Sequence, residues 1–256
     1  MMPGTIPVRV VARLDIKGPN VVKGIHLEGL RVVGKPSDFA RRYYGAGIDE
    51  ILFIDIVASL YGRNNILPIV EEAARDVFVP MTVGGGIRSV EDIGNVLRSG
   101  ADRVAINTAA VQRPELIREA ATAFGSQCIV LSVEAKRQAP GRWEAYTDNG
   151  RERTGRDVLD WIAEAESLGA GEVLVTSVDR EGTRSGLDLE LISAVADRVL
   201  IPVIASGGVG TPRHATEVFS IAGVDAVACA DAFHYGRFSV AEMKRALSAE
   251  GVAVRT

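Results

Sequence analysis

The stretch VPMTVGGGIR, from Val79 to Arg88, decides the fold, because a short apolar run ends there in three consecutive glycines. Glycines at such a turn let backbone N–H groups converge on an anion, since no Cβ blocks the approach. The stretch IPVIASGGVG, from Ile201 to Gly210, repeats this pattern of strand, proline and glycine-rich exit. Pro80 and Pro202 lie 122 positions apart in a chain of 256 residues. The sequence therefore indicates an internal duplication at about half its length.

The bulk composition is that of a globular protein, with 47% hydrophobic and 24% charged residues. A net charge of −4 gives no reason to expect binding to nucleic acid or to an anionic membrane. The first residues show neither a signal peptide nor a membrane span, so we expect a cytoplasmic protein. Cys128 and Cys229 each lie in an apolar run, which predicts buried, reduced thiols. No Cys or His spacing suggests a metal site.

Short apolar runs typical of strands alternate with segments of helical period along the whole chain. The expected strands lie near residues 8–14, 51–56, 80–83, 103–106, 128–133, 172–177, 202–205 and 225–229. The expected helices are Ser37–Tyr44, Ile66–Val77, Val90–Arg98, Pro114–Phe124, Arg156–Leu168, Leu189–Val199, Thr211–Ile221 and Val240–Ala249. Eight βα units predict an α/β fold, a (β/α)₈ TIM barrel, in one domain over residues 1–256. A doubly wound open sheet is the alternative, but half-barrel repeats of about 1–125 and 126–256 favour the barrel.

Two carboxylates occupy equivalent places in the two halves. LDIK, with Asp15, ends the first expected strand, and VEAK, with Glu134, ends the fifth. Strands one and five of an eight-stranded ring lie opposite each other, so both acids would face one molecule bound at the mouth. The alternative is that each acid pairs with its neighbour, Lys17 or Lys136, on the surface. The matched positions favour acid/base catalysis.

The two glycine loops predict two phosphate sites held apart across the barrel mouth. The alternative is that they are plain turns between strand and helix. Neither loop is a P-loop or a GxGxxG fingerprint followed by a ribose-binding acid, so no nucleotide cofactor is expected. A small-molecule substrate with a phosphate at each end fits this arrangement.

Over essentially its whole length, the chain resembles the cyclase subunits of imidazole glycerol phosphate synthase. The segments that carry the resemblance are LDIKGPNVVKGIHLEGLR, DEILFIDIVAS, TVGGGIRSVED, GADRVAINTAA, FGSQCIV, TSVDREGTRSG, PVIASGGVG and FHYG. The resemblance implies a lyase of histidine biosynthesis that needs no cofactor. With ammonia from a glutaminase partner, it would convert a phosphoribulosyl aminoimidazole carboxamide ribonucleotide to imidazole glycerol phosphate and aminoimidazole carboxamide ribotide.

The same resemblance implies roles for individual residues. Asp15 and Glu134 match the acid/base pair, and Lys23 falls in a mobile loop that closes over the substrate. One phosphate site corresponds to Gly85, Gly86, Asn107 and Thr108. The other corresponds to Gly182, Gly207, Gly208, Ala230 and Asp231, with Thr176 and Ser206 lining the pocket between them. At the opposite end of the barrel, the ammonia gate corresponds to Arg9, Glu50, Arg103 and Glu172, and Asp102 lies near the glutaminase docking face.

Four residues depart from the family pattern, and they cluster at the mouth. Glu134 and Glu181 stand where Asp is usual, Asp231 stands where Ser is usual, and Arg13 replaces a small residue beside Asp15. Moving a catalytic carboxylate by about 1 Å can cost on the order of 100-fold in rate. A carboxylate close to a phosphate is repulsive by about 1 kcal/mol or more.

These departures leave three hypotheses for the function. The first is the histidine-pathway cyclase, which Asp15, Lys23 and the intact phosphate loops favour. The second is a paralogue that delivers ammonia to another acceptor, such as a sugar of a surface polysaccharide, which Glu134 and Asp231 favour. The third is a non-catalytic subunit that only activates a glutaminase. It would have no need for Asp15 in its full motif.

Overall fold

The computed structural model describes residues 6–58, 66–221 and 223–255, and within them twelve strands form a single sheet. The strands are β1 (Arg9–Lys17), β2 (Asn20–Ile25), β3 (Glu28–Gly34), β4 (Glu50–Asp55), β5 (Met81–Gly84), β6 (Arg103–Ile106), β7 (Ile129–Ala139), β8 (Arg142–Thr147), β9 (Glu152–Asp157), β10 (Glu172–Ser177), β11 (Val203–Ser206) and β12 (Val224–Cys229). Eight of them run parallel in the order β1, β4, β5, β6, β7, β10, β11, β12, and β12 pairs with β1. The predicted (β/α)₈ barrel and its eight strands are confirmed.

Helices cover the outside of the barrel between successive strands. They are α1 (Pro36–Gly45), α2 (Leu67–Ala73), α3 (Val90–Arg98), α4 (Thr108–Gln112), α5 (Glu115–Phe124), α6 (Val158–Leu168), α7 (Leu189–Ala196), α8 (Pro212–Val218), α9 (Asp231–His234) and α10 (Val240–Ala249). Their apolar faces pack on the outward side chains of the strands, in one continuous core that includes Trp161, Phe53 and Leu116. Within the described residues, no helix is long and apolar enough to cross a lipid bilayer.

The alternation of side chains along the strands divides the barrel interior into three layers. Successive side chains of a strand point to opposite faces, so every second residue lies inside the ring. Near the N-terminal ends of the strands the inward side chains are charged, and near the C-terminal ends they are polar. Between these two layers lies an apolar layer formed by Val11, Leu52, Ala105, Val130, Leu174, Ile204, Ala226 and Ala228.

Two antiparallel hairpins extend the barrel at its mouth, and the sequence analysis missed both. The first, β2–β3, follows β1, and the second, β8–β9, follows β7, so each half-barrel carries one. Lys23, expected in a loop, therefore lies in strand β2, where its side chain is buried. Helix α6 starts two residues later than expected, because Asp157 ends β9 and caps the helix by accepting from Leu159 N–H at 2.9 Å.

The two cysteines differ in their surroundings. Cys229 is buried in β12, as expected, but Cys128 is only partly buried in a 3₁₀ turn, so the prediction of a buried thiol is wrong for Cys128. Both thiols are free.

Helix α10 offers a test of how local sequence stabilises this fold. Its capping box joins Ser239 Oγ to Glu242 N–H at 3.1 Å, and Glu242 Oε2 accepts from Ser239 N–H at 2.6 Å. We expect Ser239→Ala to lower the free energy of unfolding by about 1 kcal/mol, because one N-terminal N–H group loses its acceptor. Urea denaturation measures the change. Ser248→Ala, at an exposed position of the same helix, is the control, and an equal loss there would contradict the prediction.

Candidate active site

Asp15, on β1, lies at the centre of a buried network of ion pairs at the barrel mouth. Its Oδ1 accepts from Arg13 Nε at 2.8 Å and its Oδ2 from Lys23 Nζ at 3.2 Å. Lys23 also pairs with Glu181, which follows β10, and all four side chains are buried. Burial alone would raise the pKa of Asp15, but the charges of Arg13 and Lys23 outweigh it and hold the pKa well below its usual range. Asp15 is therefore ionised at neutral pH.

Glu134, on β7, has a different environment. Its Oε2 accepts from Gly150 N–H at 2.8 Å and from Asn107 Nδ2 at 3.1 Å. Burial raises the pKa of Glu134 to about 7, although the Gly150 N–H and the charge of Arg13 act in the opposite direction. The negative charge of Asp15 adds to the increase. The two acids thus have pKa values that are pushed apart, which is the arrangement that assigns different proton-transfer roles to two carboxyl groups.

The first glycine loop borders an open cavity of about 200 Å³. Gly85 and Gly86 have φ angles of 96° and 71°. A Cβ on Gly85 would lie 2.1 Å from the carbonyl oxygen of Asp55, so the turn itself requires glycine there. The predicted first phosphate site and one of the acids meet in this cavity. Its lining includes Gly85, Gly86, Asn107, Thr108, Ser132 and Glu134.

The second glycine loop borders a much smaller cavity, of about 10 Å³. Gly207 has a φ angle of 97°, and a Cβ there would lie 2.7 Å from the carbonyl oxygen of Ser177. The predicted residues of the second phosphate site meet here, but together with two side chains that the prediction did not include, Arg13 and Glu181. The lining includes Gly182, Ser206, Gly207, Gly208, Ala230, Asp231, Arg13 and Glu181.

The remaining mouth residues connect these two regions. Thr176 Oγ1 and Ser206 Oγ both accept from Arg13 Nη1, at 2.9 and 3.3 Å. Asp231 lies beside the second cavity, but its Oδ1 accepts from Arg237 Nε at 2.8 Å. This ion pair reduces the repulsion between Asp231 and a bound anion that the sequence predicts.

The four residues predicted as a gate form a closed ring at the opposite end of the barrel. Arg9 pairs with Glu50 at 2.8 Å and also with Glu172. Arg103 pairs with the same two carboxylates, at 3.2 and 3.0 Å. Since each charge has two partners of opposite sign, the ring is stabilised despite its partial burial.

Asp102 lies at this end of the barrel too, one residue before β6. It is exposed, and its Oδ2 accepts from Met81 N–H at 2.8 Å. Asp225, the second residue of β12, accepts in the same way from Val203 N–H at 3.1 Å in the second half. This shared contact gives Asp102 a structural role in joining neighbouring strands.

Among the described residues, no group of three or more His, Cys, Asp or Glu side chains is arranged to hold a metal ion.

Comparison with known proteins agrees with this geometry. A family model described as histidine biosynthesis protein matches residues 9–239. The chain belongs to this family. It is 63% identical to the imidazole glycerol phosphate synthase subunit HisF of Legionella pneumophila over 203 residues, covering 79% of this chain and 96% of the relative. It is also 49% identical to the subunit of the same name from Streptococcus sanguinis (strain SK36) over 247 residues, covering 96% and 98%.

Sequence reasoning missed several contacts that shape this family member's mouth. The tip of hairpin β2–β3 is tied down by His26 N–H, which donates to Glu181 O at 2.8 Å. Asn149 Nδ2 donates to Leu27 O at 3.1 Å, so the second hairpin holds the first. The sequence carried a signal for Arg13 and Glu181 only as departures from the family pattern. For Asn149 it carried no signal, because the contact joins residues more than 100 positions apart.

The elevated pKa of Glu134 gives a testable pH dependence of stability. Because its pKa rises on folding, ionisation favours the unfolded state, and stability decreases as the pH rises towards and through 7. In Glu134→Gln this loss is absent. We therefore expect the free energy of unfolding of the variant, relative to wild type, to increase by about 2 kcal/mol between about pH 5 and pH 8.

Urea denaturation at the two pH values measures this change. Glu144→Gln is the matched control, because hydrogen bonding to Arg153 lowers the pKa of Glu144, so its stabilising contribution is already complete at pH 5. A constant difference for Glu134→Gln across this range would show that Glu134 is ionised throughout.

Proposed function

We propose that the chain is the ammonia-dependent cyclase subunit of an imidazole glycerol phosphate synthase. It would convert the phosphoribulosyl aminoimidazole carboxamide ribonucleotide to imidazole glycerol phosphate and aminoimidazole carboxamide ribotide, in the cytoplasm. The observation that carries the proposal is the pair of buried acids with divergent pKa values, between two matched glycine loops at one barrel mouth. The names of the relatives favour this hypothesis over the paralogue and the non-catalytic subunit.

The proposed chemistry is acid/base catalysis by the two carboxyl groups. Glu134, with a pKa of about 7, is suited to give and take a proton near neutral pH. Asp15 is the ionised partner, and its charge stabilises positive charge that develops on the substrate during ring closure. The neutral amide of Asn107 and the N–H of Gly150 hold Glu134 in place without fixing its charge, which leaves it free to change protonation state.

The two glycine loops would hold the two phosphates of the substrate. Each loop supplies backbone N–H groups in a turn that excludes a Cβ, and a short helix that follows the next strand, α4 or α9, begins beside the same cavity. The loops lie on opposite halves of the ring, so a substrate bound to both must cross the mouth above Asp15 and Glu134. This placement supports a bis-phosphorylated substrate.

We also propose that ammonia enters through the barrel from a glutaminase subunit docked at the gate end, near Asp102. Above the ring of Arg9, Glu50, Arg103 and Glu172, the apolar interior layer separates the gate from the acids. An apolar layer disfavours ammonium and water but tolerates neutral ammonia, because burying an unpaired charge is costly. Passage requires an ion pair of the ring to separate, which suits a gate opened by partner binding.

The direct test supplies ammonium at alkaline pH to the purified chain with the bis-phosphorylated substrate, and measures imidazole glycerol phosphate. We expect turnover by the wild type and a loss of at least about 100-fold in kcat for each of two variants, since Asp15→Asn removes a stabilising charge and Glu134→Gln removes a proton-transfer group. Asp160→Asn, on the exposed face of α6, is the control for loss of a carboxylate.

The outcomes separate the three hypotheses. No product from the folded wild type would favour a paralogue that amidates or amidinates another acceptor, such as a sugar of a surface polysaccharide. No product together with stimulation of a glutaminase would favour a non-catalytic activating subunit. Full activity of Asp15→Asn would remove Asp15 from the catalytic pair.

A further inference from the structure

The two proposed anion sites share one backbone design, but the cavity at the second site is much smaller. Asn107 and Ala230, the residues that precede α4 and α9, have φ of −123° in both cases and ψ of −87° and −79°. Gly85 and Gly207 have φ of 96° and 97°. Yet the first cavity measures about 200 Å³ and the second about 10 Å³. Both side chains and the backbone of hairpin β2–β3, whose His26 N–H donates to Glu181 O, narrow the second cavity.

Arg13 is a side chain that distinguishes the second site from the first. Asp15 and Glu134 are equivalent in the duplication, so the residue two positions before each is equivalent as well, and these are Arg13 and Ser132. Ser132 lines the first cavity and Arg13 lines the second. A serine leaves its cavity open, whereas a guanidinium on a three-carbon stem extends across the mouth to Thr176 and Ser206.

The present contacts of Arg13 do not occupy all of its N–H donors. Its Nε donates to Asp15 and its Nη1 to Thr176 and Ser206. Within the described part of the chain, Nη2 has no hydrogen-bond partner, although Arg13 is buried and lines the second cavity. A buried guanidinium with an unused N–H edge towards an anion loop is a strong donor for a phosphate or carboxylate oxygen.

The charges around the second site indicate why Arg13 would bind an incoming anion. At the second site the cations Arg13 and Lys23 are balanced by the carboxylates of Asp15 and Glu181. A phosphate dianion brought into this neutral, buried network needs a cation of its own. Lys23 is paired with two carboxylates, whereas Arg13 is paired with one, so Arg13 is the cation that can more readily turn to an incoming anion.

We propose that Arg13 is a specificity-determining anion receptor of the second phosphate site. It pairs with Asp15 while the site is empty and turns to the phosphate when the substrate binds. The proposal rests on the proposed function only in naming the substrate phosphate as the anion. Asp15 and the anion compete for the guanidinium of Arg13.

This competition would link substrate binding to the state of the catalytic acid. When Arg13 leaves Asp15, the carboxylate keeps Lys23 and faces the charges of Glu181, Glu134 and the bound phosphate, with His234 buried nearby in neutral form. The departure of Arg13 and the arrival of the phosphate charge each raise the pKa of Asp15. Binding of the second phosphate would thus change the electrostatic environment of Asp15.

The test is a double-mutant cycle on phosphate binding, with inorganic phosphate as the probe and isothermal titration calorimetry as the readout. We expect Arg13→Ala to weaken one class of phosphate site by about 10- to 100-fold and to leave the other unchanged. Asp15→Asn should tighten that same class by about 10-fold, because the guanidinium no longer has a competing carboxylate. In Arg13→Ala/Asp15→Asn, the tightening should be absent.

This last variant separates competition from simple charge repulsion. If the Asp15 charge acts only through space, Asp15→Asn will tighten phosphate binding equally with and without Arg13, and the proposal is wrong. Glu181→Gln removes a neighbouring carboxylate that makes no hydrogen bond to Arg13, and we expect a smaller gain than for Asp15→Asn. Arg13→Lys keeps the charge but not the planar donor edge, so it should bind phosphate with intermediate affinity. Because it is the more conservative change, it tests the role of Arg13 even where Arg13→Ala fails to fold.

A pH profile tests the electrostatic link between Arg13 and Asp15. We expect the acidic limb of kcat/KM in Arg13→Ala to move to higher pH, because Asp15 loses its main counter-ion in the free enzyme. Arg118→Ala, on the exposed face of α5, should leave the profile unchanged. If Arg13→Ala weakens phosphate binding but neither the wild type nor any variant shows turnover, the proposed function is refuted and the assignment of Arg13 stands. If Arg13→Ala leaves phosphate binding unaltered, only the assignment of Arg13 is refuted.

Discussion

Because eight strands close into a ring, every second side chain of each strand must lie in one interior shared by all eight. This constraint brings together residues that are far apart in the chain, and it leaves buried charges no route to solvent. They must therefore pair with one another, as Arg9 and Glu172 do at one end and Arg13 and Asp15 do at the other. The apolar layer between them keeps the two charged networks separate.

The duplication supplies a symmetric scaffold on which the chemistry is asymmetric. Both halves place an acid, a glycine loop and a hairpin at the mouth, with nearly equal backbone angles. Asp15 lies against two cations, whereas Glu134 accepts hydrogen bonds from neutral donors only. Equivalent backbone positions thus produce one carboxyl group that is ionised and one whose pKa is about 7. One repeated backbone unit therefore holds two carboxyl groups in opposite electrostatic environments.

Arg13 illustrates how a single substitution changes a site without changing the fold. Its Cα occupies the same place in the repeat as that of Ser132, and β1 pairs with β4 and β12 in regular register around it. The strand tolerates the larger side chain because the barrel mouth has room above the apolar layer and because Asp15, Thr176 and Ser206 accept its hydrogen bonds. The cost of burying the guanidinium is offset by these partners.

The barrel, its eight strands and both glycine loops could be predicted from the sequence alone, and the sequence also predicts that Asp15 and Glu134 face each other across the mouth. Strands and loops follow from periodicity and turn chemistry, which depend on residues close together in the chain, and the choice of a barrel follows from the repeat at about half its length. The sequence did not reveal the hairpins, the clamp from Asn149 to Leu27, or the partners that separate the two pKa values. Only the tertiary structure decided these features, because burial and hydrogen-bond partners depend on contacts across the closed ring rather than on neighbours in the sequence.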